Sequence, residues 1–349
     1  MSCPLLLARE DLKYRTMIGV GGIGAGDFFA LEGNTTLGRE ESRGGRFLDQ
    51  KDYCKLHIVS HYVSTLLSED FLTLAIGAVG DDEVGHRLLH EMEGAGVDLR
   101  YVECSSEART LFSFCFQYPD GSGGNLTTND SASSRVDQSA VERAEPQFQK
   151  FSGSGIALAV PESSMESRKA LLEMGAVYDF FRVASFTSEE VTAALESDFL
   201  DMVDLLSINQ DEAASVVGLT SYQPSLSEIV EQTISVLSEK NPRLKVILTA
   251  GAQGSWSWDG SVLEHIPALR IELVNGAGAG DAYLAGTIVG LTSSLPLLQA
   301  QQLGNLVAAL AATSPHTIHP GIDRRTLSTF TVQSKLVLSD KLPALLGLD

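Results

Sequence analysis

The sequence predicts an α/β protein built on a largely parallel sheet with helices on both faces, interrupted by β-type insertions. Three observations carry this. Short apolar runs of strand length alternate with longer segments whose apolar residues recur at helical spacing. The chain has 349 residues, 44% hydrophobic and 20% charged, enough for one large domain with a sizeable core. Finally, Leu111, Phe112, Phe114 and Phe116 alternate with smaller residues over Thr110–Tyr118, and Pro119–Asp120–Gly121 turns the chain back, which reads as a hairpin inserted in the β/α series.

Taken in order, Met17–Ile18–Gly19–Val20 is a first buried strand ending in glycine. A polar, glycine-bearing stretch runs from Glu32 to Gln50, with Thr35–Thr36–Leu37 as a short strand. Leu56, Val59, Val63 and Leu67 lie on one face of a helix within Tyr53–Leu67, and a buried strand follows over Leu72–Ile76. Asp81–Asp82 opens a helix with Val84, Leu88 and Met92 on one face, closed by Gly94 and Gly96. Beyond the hairpin come a strand at Ile156–Val160, a helix over Ser164–Met174, and a strand near Phe180–Ala184. Then follow a strand at Leu205–Ile208, helices from Asp211 and over Ser225–Ser238, and a strand at Lys245–Thr249. A second hairpin region, Trp256–Ile271, leads into a glycine-rich segment and a long apolar helix from Asp281.

Charge and cysteine usage exclude several classes. With 25 Lys+Arg against 45 Asp+Glu, the net charge of −20 repels nucleic acid and anionic membranes, although backbone dipoles still allow a small phosphorylated ligand. Cys3, Cys54, Cys104 and Cys115 form neither C-x-x-C nor metal-ligand spacing, so reduced thiols in a cytoplasmic protein are expected. The apolar run Pro4–Ala8 is too short for a secretory signal, and no run approaches the roughly 20 residues of a membrane span.

The strongest chemical signal is Asn275–Gly276–Ala277–Gly278–Ala279–Gly280–Asp281. Glycine costs about 1 kcal/mol relative to alanine in a helix interior, so three before an apolar helix suggest close approach of a ligand to the backbone. Free amides at a helix start, with the positive end of the dipole, form an anion site. A carboxylate at Asp281 is placed to accept the proton of an attacking hydroxyl while those amides hold a phosphoryl group. The other reading of the same residues is a glycine turn followed by a helix-start charge.

The segment Gly278–Ala279–Gly280–Asp281–Ala282–Tyr283 resembles the C-terminal signature of the ribokinase-like (PfkB) carbohydrate kinase family. Three further segments agree in the family's order: Gly77–Gly85 with Gly96–Val97–Asp98, Asn209–Gln210–Asp211–Glu212, and Thr249–Ala250–Gly251–Ala252–Gln253–Gly254. The resemblance covers the chain from about residue 17 to residue 325. It implies a three-layer α/β/α sandwich with a small β lid from about 31–50 and 108–130, inserted in a single kinase domain. It implies ATP and Mg²⁺, Asp281 as general base, and the Gly278, Ala279 and Gly280 amides as anion hole. Asn209 and Glu212 would organise Mg²⁺ largely through water, and Thr249, Gly251, Gly254 and Asn305 would lie along the nucleotide. Read without the family, Asn209-x-x-Glu212 is a capping box, and the two roles are compatible.

For the substrate, a sugar or a nucleoside, the resemblance implies Asp27 as a partner of hydroxyls and Gly44–Gly45 as the glycine pair on the sugar side. The asparagine usual after that pair is missing, Asp49 standing at the nearest spacing, and the flanking Arg43 and Arg46 read either as partners of an acidic or phosphorylated substrate or as solvated surface charges. Asn275 replaces the aspartate common near a monovalent-cation site, which leaves potassium activation open. The His316–His319–Pro320–Gly321 loop reads as surface. The family's lids often pair between subunits, which implies a homodimer.

Two rival classes compete with this reading. Gly19–Val20–Gly21–Gly22–Ile23–Gly24 is formally the G-x-G-x-x-G of a dinucleotide-binding oxidoreductase, but no clean helix follows and no second strand ends in an acid about 20 residues on. A sugar-binding protein that kept the fold without catalysis is opposed by Asp281 and its intact glycines.

Overall fold

The computed structural model describes residues 3–120, 123–218, 224–338 and 341–348. Thirteen strands form two sheets among these residues. The large sheet takes β1 (Thr16–Val20), β4 (Leu72–Gly80), β5 (Asp98–Ser105), β8 (Gly155–Ala159), β9 (Phe181–Ala184), β10 (Leu205–Asn209), β11 (Lys245–Thr249), β12 (Ser255–Trp258) and β13 (Leu263–Ile266). Their spatial order is β13-β12-β11-β10-β9-β8-β1-β4-β5. All pairings are parallel except the hairpin edge, β11 with β12 and β12 with β13. The small sheet takes β2 (Gly24–Leu31), β3 (Gly45–Tyr53), β6 (Leu111–Gln117) and β7 (Gly123–Thr127), in the order β3-β2-β6-β7.

Strand periodicity divides the core in two. Met17, Ile156, Leu158 and Ile247 face one side, with α1 (Lys55–Leu66), α2 (Glu83–Gly94), α9 (Ala279–Thr292), α10 (Leu297–Ala311), α11 (Arg324–Gln333) and α12 (Leu342–Leu346). Ile18, Val20, Ala157, Val246 and Leu248 face the other. That side is covered by α3 (Gln138–Glu142), α4 (Glu145–Lys150), α5 (Met165–Val177), α6 (Val191–Glu196), α7 (Gln210–Val217) and α8 (Leu226–Lys240). The order thus reverses between β1 and β8: from β1 the chain builds outward to β4 and β5, then returns to build β8 to β11 on the other side. Ligands of such sheets lie beyond the carboxyl ends of the strands at that reversal.

The small sheet grows directly out of the large one, because Gly21–Ile23 alone separate β1 from β2. It therefore begins at residue 24 and its second strand runs to residue 53, a wider span than the 31–50 expected. Thr35–Thr36–Leu37 is not a strand: the polar tip is instead organised by Arg43, whose guanidinium meets Glu41 and the carbonyl and hydroxyl of Thr35. Gly121, of the expected turn, lies outside the described residues. Among the described residues, no helix is long and apolar enough to cross a membrane.

Candidate active site

Beyond the carboxyl ends of β1, β8 and β10, where the small sheet leans over the large one, lies a cavity of about 180 Å³. Asp52, Cys54, Lys55, Ser113, Asn125, Glu162, Glu212, Gly278 and Asp281 are among its lining residues. Four are carboxylates and one is a lysine.

The α9 entry is fixed by its backbone. Gly278 adopts a left-handed conformation (φ 75°) just before the helix, and a Cβ there would sit 2.8 Å from the Thr317 Cβ and carbonyl oxygen. A side chain at this position meets both penalties. Asn275 ties the approach down: its Nδ2 donates to the Pro315 carbonyl (2.9 Å) and its Oδ1 accepts from the Ala277 amide (3.0 Å). A carboxylate could not make the first of these bonds, which accounts for asparagine in this chain. Of the three amides expected to hold phosphate, that of Ala279 donates to Gly276 (3.3 Å). Those of Gly278 and Gly280 have no protein acceptor among the described residues.

Asp281, in the first turn of α9, forms an ion pair with Lys55, Oδ1 to Nζ 2.7 Å, with 16% and 23% of the two side chains exposed. Burial pulls the lysine pKa down, but Asp281, Glu212 and Glu162 outweigh it and the net shift is upward. Burial pushes the carboxyls of Asp52 and Glu212 up, and that of Glu162 up to about 7. Glu162 follows β8 in a left-handed conformation (φ 71°), and its Oε2 is sealed from solvent without a hydrogen-bond partner among the described residues. Backbone strain and an unpaired buried oxygen each cost stability, and their coincidence marks a site with a function.

Two of the glycines of 19–26, Gly22 and Gly26, are explained by this cavity, whereas Gly19, Gly21 and Gly24 make room chiefly for Leu56, Val160 and Leu111. A Cβ on Gly22 would lie 2.3 Å from the Glu162 Cβ, and one on Gly26 would lie 2.7 Å from Asp52 Oδ2. Glycine is needed because acidic side chains close in from the facing elements.

The other expected residues divide. Glu212 lines the cavity, whereas Asn209 is exposed and caps α7. Its Oδ1 accepts from the Asp211 and Glu212 amides (2.8 and 2.9 Å), and Glu212 Oε2 accepts from the Asn209 amide (2.8 Å). One Glu212 oxygen is thus committed to the cap. A buried carboxylate that lines the cavity suits a hydrated Mg²⁺. Thr249 ends β11 with Oγ1 3.6 Å from the Cβ position of Gly280, so it abuts the α9 entry. Gly251 and Gly254 turn the chain with positive φ, and Gly254 is forced by the Ile266 carbonyl 2.1 Å from its Cβ position. Asn305 donates to the Pro267 carbonyl (3.0 Å), bracing the chain beyond β13.

The expected substrate-side residues lie apart from this cavity. Gly44 and Gly45 lie at the start of β3, roughly 24 Å along the strand from Asp52 at about 3.4 Å per residue. Gly45 and Arg46 line a different and larger hollow, about 450 Å³, at the far end of the small sheet, remote from Asp281. Asp49 is exposed on β3. Asp27 pairs in register with Lys51 and Phe114, whereas Gly26 pairs with Asp52 and Ser113, so Asp27 points away from the cavity. None of Asp27, Gly44, Gly45 and Asp49 lines it. The residues in their place, Asp52, Lys55 and Glu162, escaped the sequence reading, although a lysine opening a helix and a glutamate just past a strand at the sheet's reversal were both visible. His316 and Thr317 are not idle surface: His316 Nδ1 and Thr317 Oγ1 accept from the Lys51 and Tyr53 amides (both 3.0 Å), fastening the small sheet to the loop before α11.

Comparison with known proteins agrees with this architecture. The model of the pfkB family of carbohydrate kinases matches residues 61–324. Fructokinase-1 of Oryza sativa subsp. japonica is 24% identical over 260 residues, covering 70% of this chain and 77% of the relative. "Probable fructokinase-6, chloroplastic" of Arabidopsis thaliana is 24% identical over 236 residues, covering 65% of this chain. This chain spans 59% of that relative and 66% of a second Arabidopsis fructokinase. A ribokinase of Cryptococcus neoformans var. grubii, solved with ADP, superposes with TM-score 0.70 at 16% identity, covering 92% of this chain and 99% of that one. The Arabidopsis thaliana ribokinase, solved with ribose and ATP, gives 0.67 at 17%, covering 93% and 100%. The chain belongs to the pfkB family of carbohydrate kinases.

Proposed function

We propose that the protein transfers the γ-phosphate of ATP to a hydroxyl of a small sugar or sugar-like acceptor, with Asp281 as general base. The observation that carries this is the meeting, in one cavity, of Asp281 with the α9 entry and a ring of carboxylates suited to hydroxyl groups. Asp52 accepts from substrate hydroxyls, and Glu162, with its pKa near 7, either accepts or donates. At about 180 Å³ the cavity is smaller than the roughly 300–1,000 Å³ typical of drug-sized ligands, which favours a single sugar ring over a nucleoside.

In the transfer, Asp281 takes the hydroxyl proton, the acceptor oxygen bonds to the γ-phosphorus, and the bond from that phosphorus to the β–γ bridging oxygen breaks to release ADP. The Gly278 and Gly280 amides, at the positive end of α9, face the developing charge. Mg²⁺, when bound, neutralises phosphate charge, with Glu212 as the residue fit to hold its water shell and Asn209 acting through the cap. Thr249, Gly251 and Asn305 lie along the nucleotide. The small sheet closes over the cavity and keeps water from intercepting the phosphoryl group. The four free cysteines accord with a cytoplasmic setting.

A second copy is the occupant inferred for the outer face of the small sheet, where Phe29, Phe47 and Phe114 cluster and Phe47 and Leu126 are each 64% exposed.

The test is a phosphorylation screen with Mg·ATP over ketoses, aldoses, sugar acids and nucleosides, run with the wild type and Asp281→Asn. Turnover of a neutral monosaccharide, lowered at least 10³-fold by the substitution, is expected. Turnover that survives the substitution would sink the assignment of the base, and binding of sugar without turnover would favour a non-catalytic sugar-binding protein.

A further inference from the structure

We propose that Lys55 is a catalytic residue of this transfer, neutralising Asp281 at rest and passing its charge to the transferring phosphoryl group; this rests on the kinase reading above. Its position is the first argument. Lys55 is the first residue of α1, at the positive end of that helix, where a cation is disfavoured and an acid is expected. No acidic residue occupies that turn, and the preceding Cys54 makes no side-chain cap. Both choices work against the helix start, and a local rule broken twice points to a requirement elsewhere. That requirement is the cavity, which Lys55 enters to meet Asp281 Oδ1 at 2.7 Å.

The charge around it is the second argument. Asp52, Glu162, Glu212 and Asp281 line the cavity, and among the described residues Lys55 is the one cation that lines it. A triphosphate brings several further negative charges to this ring. Without Lys55 the γ-phosphate would approach Asp281 against uncompensated repulsion.

The order of charge movements points the same way. At rest the ammonium is paired with the Asp281 carboxylate. As the hydroxyl proton moves to Asp281, that carboxylate becomes neutral while charge spreads over the phosphoryl oxygens. Lys55 keeps its own proton throughout, and its attraction turns from Asp281 to the phosphoryl group as both bonds to phosphorus change. An interaction stronger in the transition state than before it accelerates the chemical step, which a fixed structural ion pair does not.

The experiment compares wild type, Lys55→Met and Lys55→Arg by calorimetric titration with Mg·ATP and Mg·ADP, which needs no knowledge of the acceptor. Lys55→Met is expected to lose at least tenfold in the ratio of ATP to ADP affinity, and Lys55→Arg to recover most of it. With an acceptor from the screen, Lys55→Met should lower kcat about 10²–10³-fold, changing the acceptor KM by less than about threefold. An unchanged ATP-to-ADP ratio in a folded Lys55→Met protein overturns the proposal, as does a loss that Lys55→Arg fails to restore while melting temperatures stay equal. A wild type that binds neither nucleotide overturns instead the kinase reading on which this rests.

Discussion

At the scale of single residues, Glu162 shows how the site sets function against stability. Its carboxyl is pushed up from 4.5 to about 7 by burial first, with Asp281 and Asp52 adding to the rise and Cys54 and Lys55 opposing it. An acid whose pKa is raised on folding binds more protons in the folded than in the unfolded state. Its contribution is therefore neutral below about pH 4.5 and becomes a penalty as pH rises towards 7. Over that window the loss is roughly 3 kcal/mol, from about 2.5 pKa units. Glu162→Gln should melt several degrees above the wild type at pH 8, with the gap closing near pH 4.5, while its acceptor KM rises about tenfold or more. Parallel melting curves across that pH range would show that Glu162 carries no such penalty. No sequence pattern discloses it, because the burial that dominates the rise and the Asp52 and Asp281 charges that add to it are brought together from up to 119 positions away along the chain.

At the scale of elements, the reading from sequence succeeds where local rules act alone. The β11 strand and α2 were legible because apolar spacing and a capping aspartate suffice: Asp82 accepts from the Gly85 amide (2.8 Å). Asp281 was legible because the glycines before it are local as well. The substrate side was not, because β2 and β3 pair through a register shift between Asp27 and Phe29 that decides which acids face inward. Counting from Gly44–Gly45 pointed to the start of β3, whereas the cavity lies against its end at Asp52. The connection between His316–Thr317 and Lys51–Tyr53 was equally hidden, since its partners are more than 260 positions apart. Thr317 touches both halves of the site, closing on Gly278 and bonding the Tyr53 amide. Thr317→Ala should therefore weaken both acceptor and nucleotide binding, about threefold to tenfold each, with a stability loss of about 1–2 kcal/mol. Titration of each ligand with the variant checks this, and a defect confined to one ligand would contradict the shared support.

At the scale of the whole molecule, two cores on the faces of one sheet were foreseeable from composition and alternation, and the three layers follow. The G-x-G-x-x-G of residues 19–24 is the instructive case, for it lies at the reversal of strand order where a dinucleotide site would, yet Gly22 makes room for an acid. The same sequence pattern is filled differently here, because the chain just beyond β8 brings Glu162 against Gly22. The small sheet also has two distinct faces, Asp52 and Ser113 towards the cavity and the Phe29–Phe47–Phe114 cluster away from it. If a second copy covers that cluster, light scattering will give twice the chain mass, and Phe47→Glu will give the single mass with its fold intact. A wild type that stays monomeric at tens of micromolar removes the inferred dimer.

The ring of acids around the cavity has a further effect on its sulfur chemistry. Burial, then Glu162, Asp52 and Asp281, hold the Cys54 thiol well above its ordinary pKa, and burial with Asp52 pushes Cys115 up to about 12. Alkylating agents and peroxides react with thiolate, and at neutral pH these two cysteines supply almost none. The same carboxylates that line the cavity thus help keep its nearest sulfur atoms unreactive, so oxidative damage to this protein should begin somewhere other than the candidate site.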